Sequence, residues 1–193
     1  MFRLKLPTDP RWVELVENNI PEILTDHAYC EQKAASNAIS IIVRFPEKSD
    51  LVTAMLEVAR EELEHFQRVH QKILDRGLIL GRERKDDYVN LLMEFMRKGV
   101  TREKQLVDRL LFAAMVEARS CERFKVLTEK ISDPDLKGFY EELMVSEASH
   151  YALFLGFARQ YAAGEDVDQR WQEWLDYEGQ IIAGFGKKET MHG

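Results

Sequence analysis

Glu61-Glu62-Leu63-Glu64-His65 and Ser146-Glu147-Ala148-Ser149-His150 decide how this chain reads. In each, a carboxylate is followed three residues later by an imidazole. On an α-helix that spacing stacks the two side chains on one face, where both could grip one metal ion. The same spacing recurs at Glu189-Thr190-Met191-His192, in a Gly-flanked tail with no helical pattern around it, so spacing alone is a weak signal. The surroundings of the first two stretches set them apart.

Glu31 stands thirty-one residues before Glu62, and Glu117 stands thirty before Glu147, so the set Glu, Glu-x-x-His occurs twice. The midpoints fall at Phe45-Pro46-Glu47 and at Ser132, within Ser132-Asp133-Pro134. Proline resists the helix interior, so both midpoints predict turns. If each segment is an antiparallel helical hairpin, residues equidistant from its turn lie level. Four carboxylates and two imidazoles then meet in one layer.

At 193 residues the chain is long enough to bury a sizeable core and is expected to form one domain over 1–193. Gly and Pro are sparse, at 10 and 5 residues, which favours helix. The net charge of −7 argues against a generally nucleic-acid-coated surface, although a local basic face is still allowed. The start, Met1-Phe2-Arg3-Leu4-Lys5, leads into no apolar signal region, and no apolar run reaches membrane-spanning length. The expected location is cytoplasmic. Two isolated cysteines, Cys30 and Cys121, in such a chain are expected to stay reduced.

Asp9 as N-cap and Pro10 predict a short helix over 9–19. A long helix over about 21–44 carries Leu24, Ala28, Ala34, Ala35, Ala38, Ile41 and Ile42 on a stripe that contains Glu31. A second, over about 50–76, carries Leu51, Met55, Val58, Val69 and Ile73, interrupted by Glu62 and His65, and stops at Gly77. The connection 77–101 holds a short amphipathic helix near Tyr88 to Met96 and is too long to be idle. It predicts a crossover along a four-helix bundle, making the third long helix parallel to the second. That third helix, about 102–130, places Glu117 among Leu106, Leu110, Ala113, Cys121, Phe124 and Leu127. The fourth, about 134–163, places Glu147 and His150 among Tyr140, Leu143, Met144, Phe154, Phe157 and Tyr161. A last helix, about 167–182, holds Trp171 and Trp174, and the tail from Gly184 is expected to fray.

Burying four carboxylates without partners would cost several kcal/mol per charge or force protonation. Two metal ions remove that objection. Carboxylate and imidazole donors without thiolate suit iron or manganese better than structural zinc, although ligand type alone does not exclude zinc. One Glu from each of two helices plus Glu-x-x-His from each of the other two is the ligand set of ferritin-like di-iron and di-manganese proteins. The expected fold is therefore all-α, a ferritin-like four-helix bundle with one long crossover and extra short helices. Glu31 with His65 would serve one ion, Glu117 with His150 the other, and Glu62 and Glu147 would bridge. Reduced to two ferrous ions, such a centre can activate O2. Glu61, Glu64, Glu122, Glu141 and Glu142 fall off the layer, as solvated or supporting residues. His27, one turn before Glu31, reads as a packed or hydrogen-bonded histidine ahead of a further ligand. His70 reads as a surface residue. Cys30 and Cys121 read as small packing residues, with shaping of the pocket near the metals as the alternative.

Thr25-Asp26-His27-Ala28-Tyr29-Cys30-Glu31-Gln32-Lys33-Ala34-Ala35, Glu61 to Phe66, Glu117 to Phe124 and Ser146 to Tyr151 resemble the tRNA 2-methylthio-N6-isopentenyladenosine hydroxylases over almost the whole chain. The resemblance implies an O2-dependent monooxygenase whose non-haem di-iron centre hydroxylates the isopentenyl side chain of a hypermodified adenosine next to the anticodon of certain tRNAs. It also implies that Glu31, Glu62, His65, Glu117, Glu147 and His150 are the iron ligands. No position of the six departs from the pattern.

A tRNA partner needs local positive charge. Arg82, Arg84 and Lys85 cluster at the start of the crossover, and Arg97, Lys98, Arg102 and Lys104 at its end, with Lys187 and Lys188 in the tail. Glu83, Asp86 and Asp87 dilute the first cluster, and solvated loop charge accounts for it equally well. The target base would have to be splayed out into a pocket. Phe66, Phe112, Phe124 and Tyr151 would suit an isopentenyl chain, although aromatics at helical spacing are more often plain core. Hydroxylation consumes two electrons from outside, and with no flavin or nicotinamide motif a separate reductase or ferredoxin is expected. Competing readings are iron oxidation and storage in a ferritin-like shell, a rubrerythrin-type peroxidase, a ribonucleotide-reductase-like radical protein and a purely structural bundle.

Overall fold

The computed structural model describes residues 2–184. Lys187, Lys188, the Glu189 to His192 spacing and the tail beyond Gly184 lie outside the described residues. Seven helices and no strand occur among the described residues: α1 Trp12–Asn18, α2 Ile20–Arg44, α3 Ser49–Asp75, α4 Asp87–Glu94, α5 Arg102–Lys130, α6 Pro134–Gln160 and α7 Val167–Gly184. They group into two compact units, residues 18–85 and residues 2–17 with 86–184.

The unit 18–85 is a helical hairpin. Pro21 stands in the first turn of α2, where its missing N–H costs nothing. Ile23, Leu24, Ala28, Glu31, Ala35, Ala38 and Ile41 are its buried stripe, with Ala34 and Ile42 only half-buried at the margin. The chain turns between Arg44 and Ser49, at the expected Phe45-Pro46-Glu47. α3 then buries Leu51, Met55, Val58, Glu62, His65, Val69 and Ile73. Gly77 stops it: with φ +67 it takes the left-handed position, and its N–H and that of Leu78 bond to Leu74 O at 2.9 Å and Ile73 O at 3.1 Å. The chain leaving α3 lies along α2. Gly81 N donates to Thr25 Oγ1 at 3.3 Å, Tyr29 Oη donates to Gly81 O at 3.1 Å, and Lys33 pairs with Glu83 at 3.1 Å. A Cβ on residue 81 would stand 3.1 Å from Thr25 Cγ2, so glycine permits this close approach.

The unit 2–17 with 86–184 is built on a second hairpin, α5 and α6, turning at Ile131-Ser132-Asp133. Asp133 caps α6, its carboxylate accepting from Asp135 N at 2.9 Å and Leu136 N at 3.2 Å, and Pro134 follows in the first turn. α6 ends at Gln160 and not at the expected residue 163: Tyr161 already leaves helical geometry as the C-cap, Ala162 N bonds back only to Arg159 O at 3.4 Å, and Ala163 and Gly164 then take positive φ. Thr101 caps α5 and Asp86 caps α4, the latter accepting from Val89 N at 2.9 Å.

α5 is buried on more than one face. Besides the expected stripe it buries Val107, Leu111, Phe112, Ala114, Met115 and Ala118, because α7 packs on it as well as α6. Two ion networks fasten this packing. The Arg119 guanidinium, fully buried, donates to Glu178 of α7 at 2.5 Å, to Glu122 at 3.0 Å and to Leu6 O at 3.1 Å. Glu122 also accepts from Thr8 Oγ1 at 2.5 Å, so it is buried and bonded where a solvated role was one expectation. At the other network, Asp108 accepts from Arg97 at 2.9 Å and from Arg170 at 3.0 Å, and Arg97 also grips Glu165.

Burial by itself would raise the Asp108 pKa, but hydrogen bonds from Arg97 and Arg170 outweigh it and hold the carboxyl below its ordinary range. Removing one member of such a buried set leaves charge uncompensated, so Asp108→Ala is expected to cost about 3–5 kcal/mol, read as a lower midpoint of urea unfolding. A group whose folded pKa is depressed stabilises fully above its unfolded pKa and loses that contribution as pH falls through the folded value. The gap between wild type and Asp108→Ala should therefore persist at neutral pH and close only below the ordinary carboxylate range; a gap that closes near neutrality would contradict the assignment.

Candidate metal centre

Each helical hairpin presents one carboxylate–imidazole triad. In the unit 18–85, Glu31 of α2 is 5% exposed, and Glu62 and His65 of α3 are 0% and 6% exposed. One donor atom from each of the three lies within 4.8 Å of the others. His65 Nδ1 stands 3.7 Å from Glu31 Oε2 and 3.5 Å from Glu62 Oε2. The local reason is simple: Glu62 and His65 are three residues apart on one helical face, and Glu31 is level with them across the turn at 45–48.

In the unit 2–17 with 86–184, Glu117 of α5 is 4% exposed, and Glu147 and His150 of α6 are 2% and 3% exposed. Again one donor atom from each lies within 4.8 Å of the others. Both triads consist of hard oxygen and imidazole nitrogen donors taken out of water. Bare carboxylates at such depth are costly, and a divalent ion is the partner that this donor set fits.

The nearby thiol does not join the second triad. Cys121 Sγ donates to Met144 O at 3.3 Å, and burial, with Glu147 and Glu122 adding to it, pushes its pKa up to about 12. It is a protonated packing residue. Cys30 is half-buried beside Glu31, and neither it nor Cys121 is joined in a disulfide. Glu61, Glu64, Glu141 and Glu142 are exposed, as expected for residues off the layer. His70, expected at the surface, is half-buried and stacks on Phe66 with centroids 6.3 Å apart.

His27 is the packed, hydrogen-bonded histidine that the sequence led us to expect. It is 1% exposed, and its Nε2 lies 2.5 Å from Glu31 Oε1. The signal was present as an i, i+4 pair on one helix face, which places the two side chains together without saying that they bond.

The cationic candidates divide. Arg82, Arg84 and Lys85 are exposed in the unit 18–85, and Lys98, Arg102 and Lys104 are exposed in the other unit. Arg97 differs from them: its guanidinium is committed to Asp108 and Glu165, which leaves it poorly placed to meet a phosphate. Of the aromatic candidates, Phe124 packs on Tyr140 at 5.2 Å and Phe112 on Trp174 at 6.4 Å, both as core. Tyr151 is half-buried between Phe2 at 4.4 Å and Trp171 at 5.8 Å.

Comparison with known proteins assigns the chain to a family. The sequence family described as tRNA-(MS[2]IO[6]A)-hydroxylase (MiaE) matches residues 2–193. The chain belongs to this family. Among its relatives, a tRNA 2-(methylsulfanyl)-N(6)-isopentenyladenosine(37) hydroxylase of Pseudomonas putida is 37% identical over 85% of this chain and 78% of its own length. The hydroxylase of the same name from Salmonella typhimurium is 27% identical over 98% of this chain and 87% of its own. The solved structure of "Protein 43 with aldehyde deformylating oxygenase activity from Synechococcus" has a TM-score of 0.91 and 34% identity, covering 98% of this chain and 95% of that one. The expected fold class, all-α and ferritin-like, is borne out. No helix among the described residues is long and apolar enough to cross a membrane.

The state of Cys121 is directly testable. A maleimide at pH 8 is expected to leave Cys121 unmodified in the folded protein and to label it once the chain is unfolded in guanidinium, as peptide mass mapping would read. Equal labelling of Cys121 in both states would refute its burial as a protonated thiol.

Proposed function

We propose that this chain is a tRNA-modifying monooxygenase that hydroxylates the isopentenyl side chain of 2-methylthio-N6-isopentenyladenosine. Glu31, Glu62, His65, Glu117, Glu147 and His150 would together hold two iron ions. The observation that carries this reading is the burial of two Glu, Glu, His triads in a chain whose family match runs from residue 2 to residue 193. A reduced pair of iron ions supplies O2 activation when bound to such donors.

The chemistry then sets what else is needed. One oxygen atom enters a C–H bond and the other leaves as water, so each turnover consumes O2, two protons and two electrons. A separate reductase or ferredoxin is the proposed source of the electrons. The protein's own contribution is to keep six donors fixed in a dry interior, where ionic contacts weaken least. The modified base must leave its stack to reach that interior, as enzymes acting on bases require. A substrate of this kind supports a cytoplasmic location.

For docking of tRNA we propose Arg82, Arg84, Lys85, Lys98, Arg102 and Lys104, with Arg97 acting in packing. Replacing Lys98, Arg102 and Lys104 together with Ala should weaken tRNA binding and reduce the slope of log K against log salt by about 0.7–0.9 for every phosphate that is no longer neutralised. Unchanged affinity and slope would remove that group from the docking face.

The deciding experiment is mass spectrometry of nucleosides from tRNA incubated with the iron-loaded protein, reductant and O2. Gain of one oxygen on the isopentenyl nucleoside is expected, and is expected to vanish with His65→Ala or His150→Ala, each of which should also lower bound iron while preserving helical circular dichroism. Full activity of either variant would contradict the assignment. A second reading, an aldehyde deformylating oxygenase activity, is favoured by the 34% identity to the Synechococcus protein. Conversion of an aldehyde with untouched tRNA would select it. A large shell taking up far more than two irons per chain would select iron storage instead.

A further inference from the structure

We infer that His27 is a positioning residue for the metal position that Glu31 serves; this rests on the reading of the two triads as an iron site. His27 lies on α2 one turn before Glu31, and its Nε2 meets Glu31 Oε1 at 2.5 Å. A metal-binding carboxylate is ionised and can only accept, so with an ion in place the ring would present Nε2–H to it. The other oxygen, Oε2, is the one near His65 Nδ1. The two oxygens of Glu31 thus have different partners: the imidazole of His27 engages one, and the other turns to the donor triad.

The second hairpin has no counterpart at that position. Four residues before Glu117 stands Ala113, buried and without a side-chain donor. Four residues after the ligand glutamate the halves differ again, with Ala35 following Glu31 and Cys121 following Glu117, and the Cys121 thiol bonds Met144 O. The ligand types match between the halves, but the residues one turn away on the same helix do not. A glutamate has three rotatable bonds to order, and a donor fixed at one oxygen restricts them before any ion arrives. Glu31 is preset in this way by a histidine of its own helix, a donor that α5 does not offer at the corresponding position, Ala113.

The test is iron-57 loading of the full chain, with Mössbauer spectra and a ferrous binding isotherm for wild type, His27→Ala and His27→Gln. Wild type is expected to bind two irons in distinguishable environments. His27→Ala should alter one quadrupole doublet and weaken one of the two sites by about 10–100-fold, leaving the other as it was. His27→Gln, whose amide N–H can reach a carboxylate, should recover much of the wild-type spectrum and affinity. His27→Leu, which fills the space without a donor, replaces the Ala variant if circular dichroism shows that one unfolded. Spectra and isotherm unchanged without the donor, equal weakening of both sites, or a Gln variant no better than the donor-free one would each overturn the inference. Wild-type protein that takes up no iron would overturn the parent reading and this one with it, whereas two bound irons with a silent His27 would overturn this one alone.

Discussion

Carboxylates taken out of water have to be met by positive charge, by donors or by protons, and this chain meets that demand repeatedly. Asp108 is met by Arg97 and Arg170, and Glu178 and Glu122 by Arg119. Glu31 is met in part by His27. The triads Glu31, Glu62, His65 and Glu117, Glu147, His150 are the places where buried acid is gathered around imidazole, and there the donor chemistry points to metal ions. The difference between these two solutions separates scaffold from function. Arginine fixes packing, whereas an imidazole set among carboxylates leaves room for an ion.

The scaffold networks have a clear mechanical purpose. α5 carries one residue of the second triad, Glu117, and is covered on several faces, so its rotation about its own axis would disturb both α6 and α7. Arg119, two residues after Glu117, is bonded to Glu178 of α7 and to the N-terminal segment at Leu6. Arg170, near the start of α7, is bonded to Asp108, near the start of α5. These ties hold the register of α5 against its neighbours, and register is what decides where the Glu117 carboxylate points.

Much of this was legible in the residues. The three-residue spacing of Glu62 and His65, and of Glu147 and His150, needs only helical geometry to put each pair on one face. The turns at Phe45-Pro46-Glu47 and Ser132-Asp133-Pro134 follow from proline, and the apolar stripes through Glu31 and Glu117 follow from periodicity; all appear where expected. α6 ends three residues before the expected 163 because the break begins at Tyr161, and neither it nor Ala163, which takes positive φ, is a residue type that announces a helix end. Glu122 read as solvated or supporting because nothing near it in sequence reveals Thr8, more than a hundred residues away.

By itself, the sequence determined which side chains share a helix face and where the chain reverses, since both depend on contacts within one turn or on the backbone limits of single residues. Tertiary structure alone decided how charges are spent. Arg97 stands among lysines and arginines that look alike in sequence, yet Asp108 and Glu165 consume its charge while Lys98 stays exposed. Phe112 and Phe124 turn out to be core because Trp174 and Tyr140 lie against them. Such pairings join residues far apart along the chain, and their energies depend on distance and desolvation, which only the folded arrangement sets.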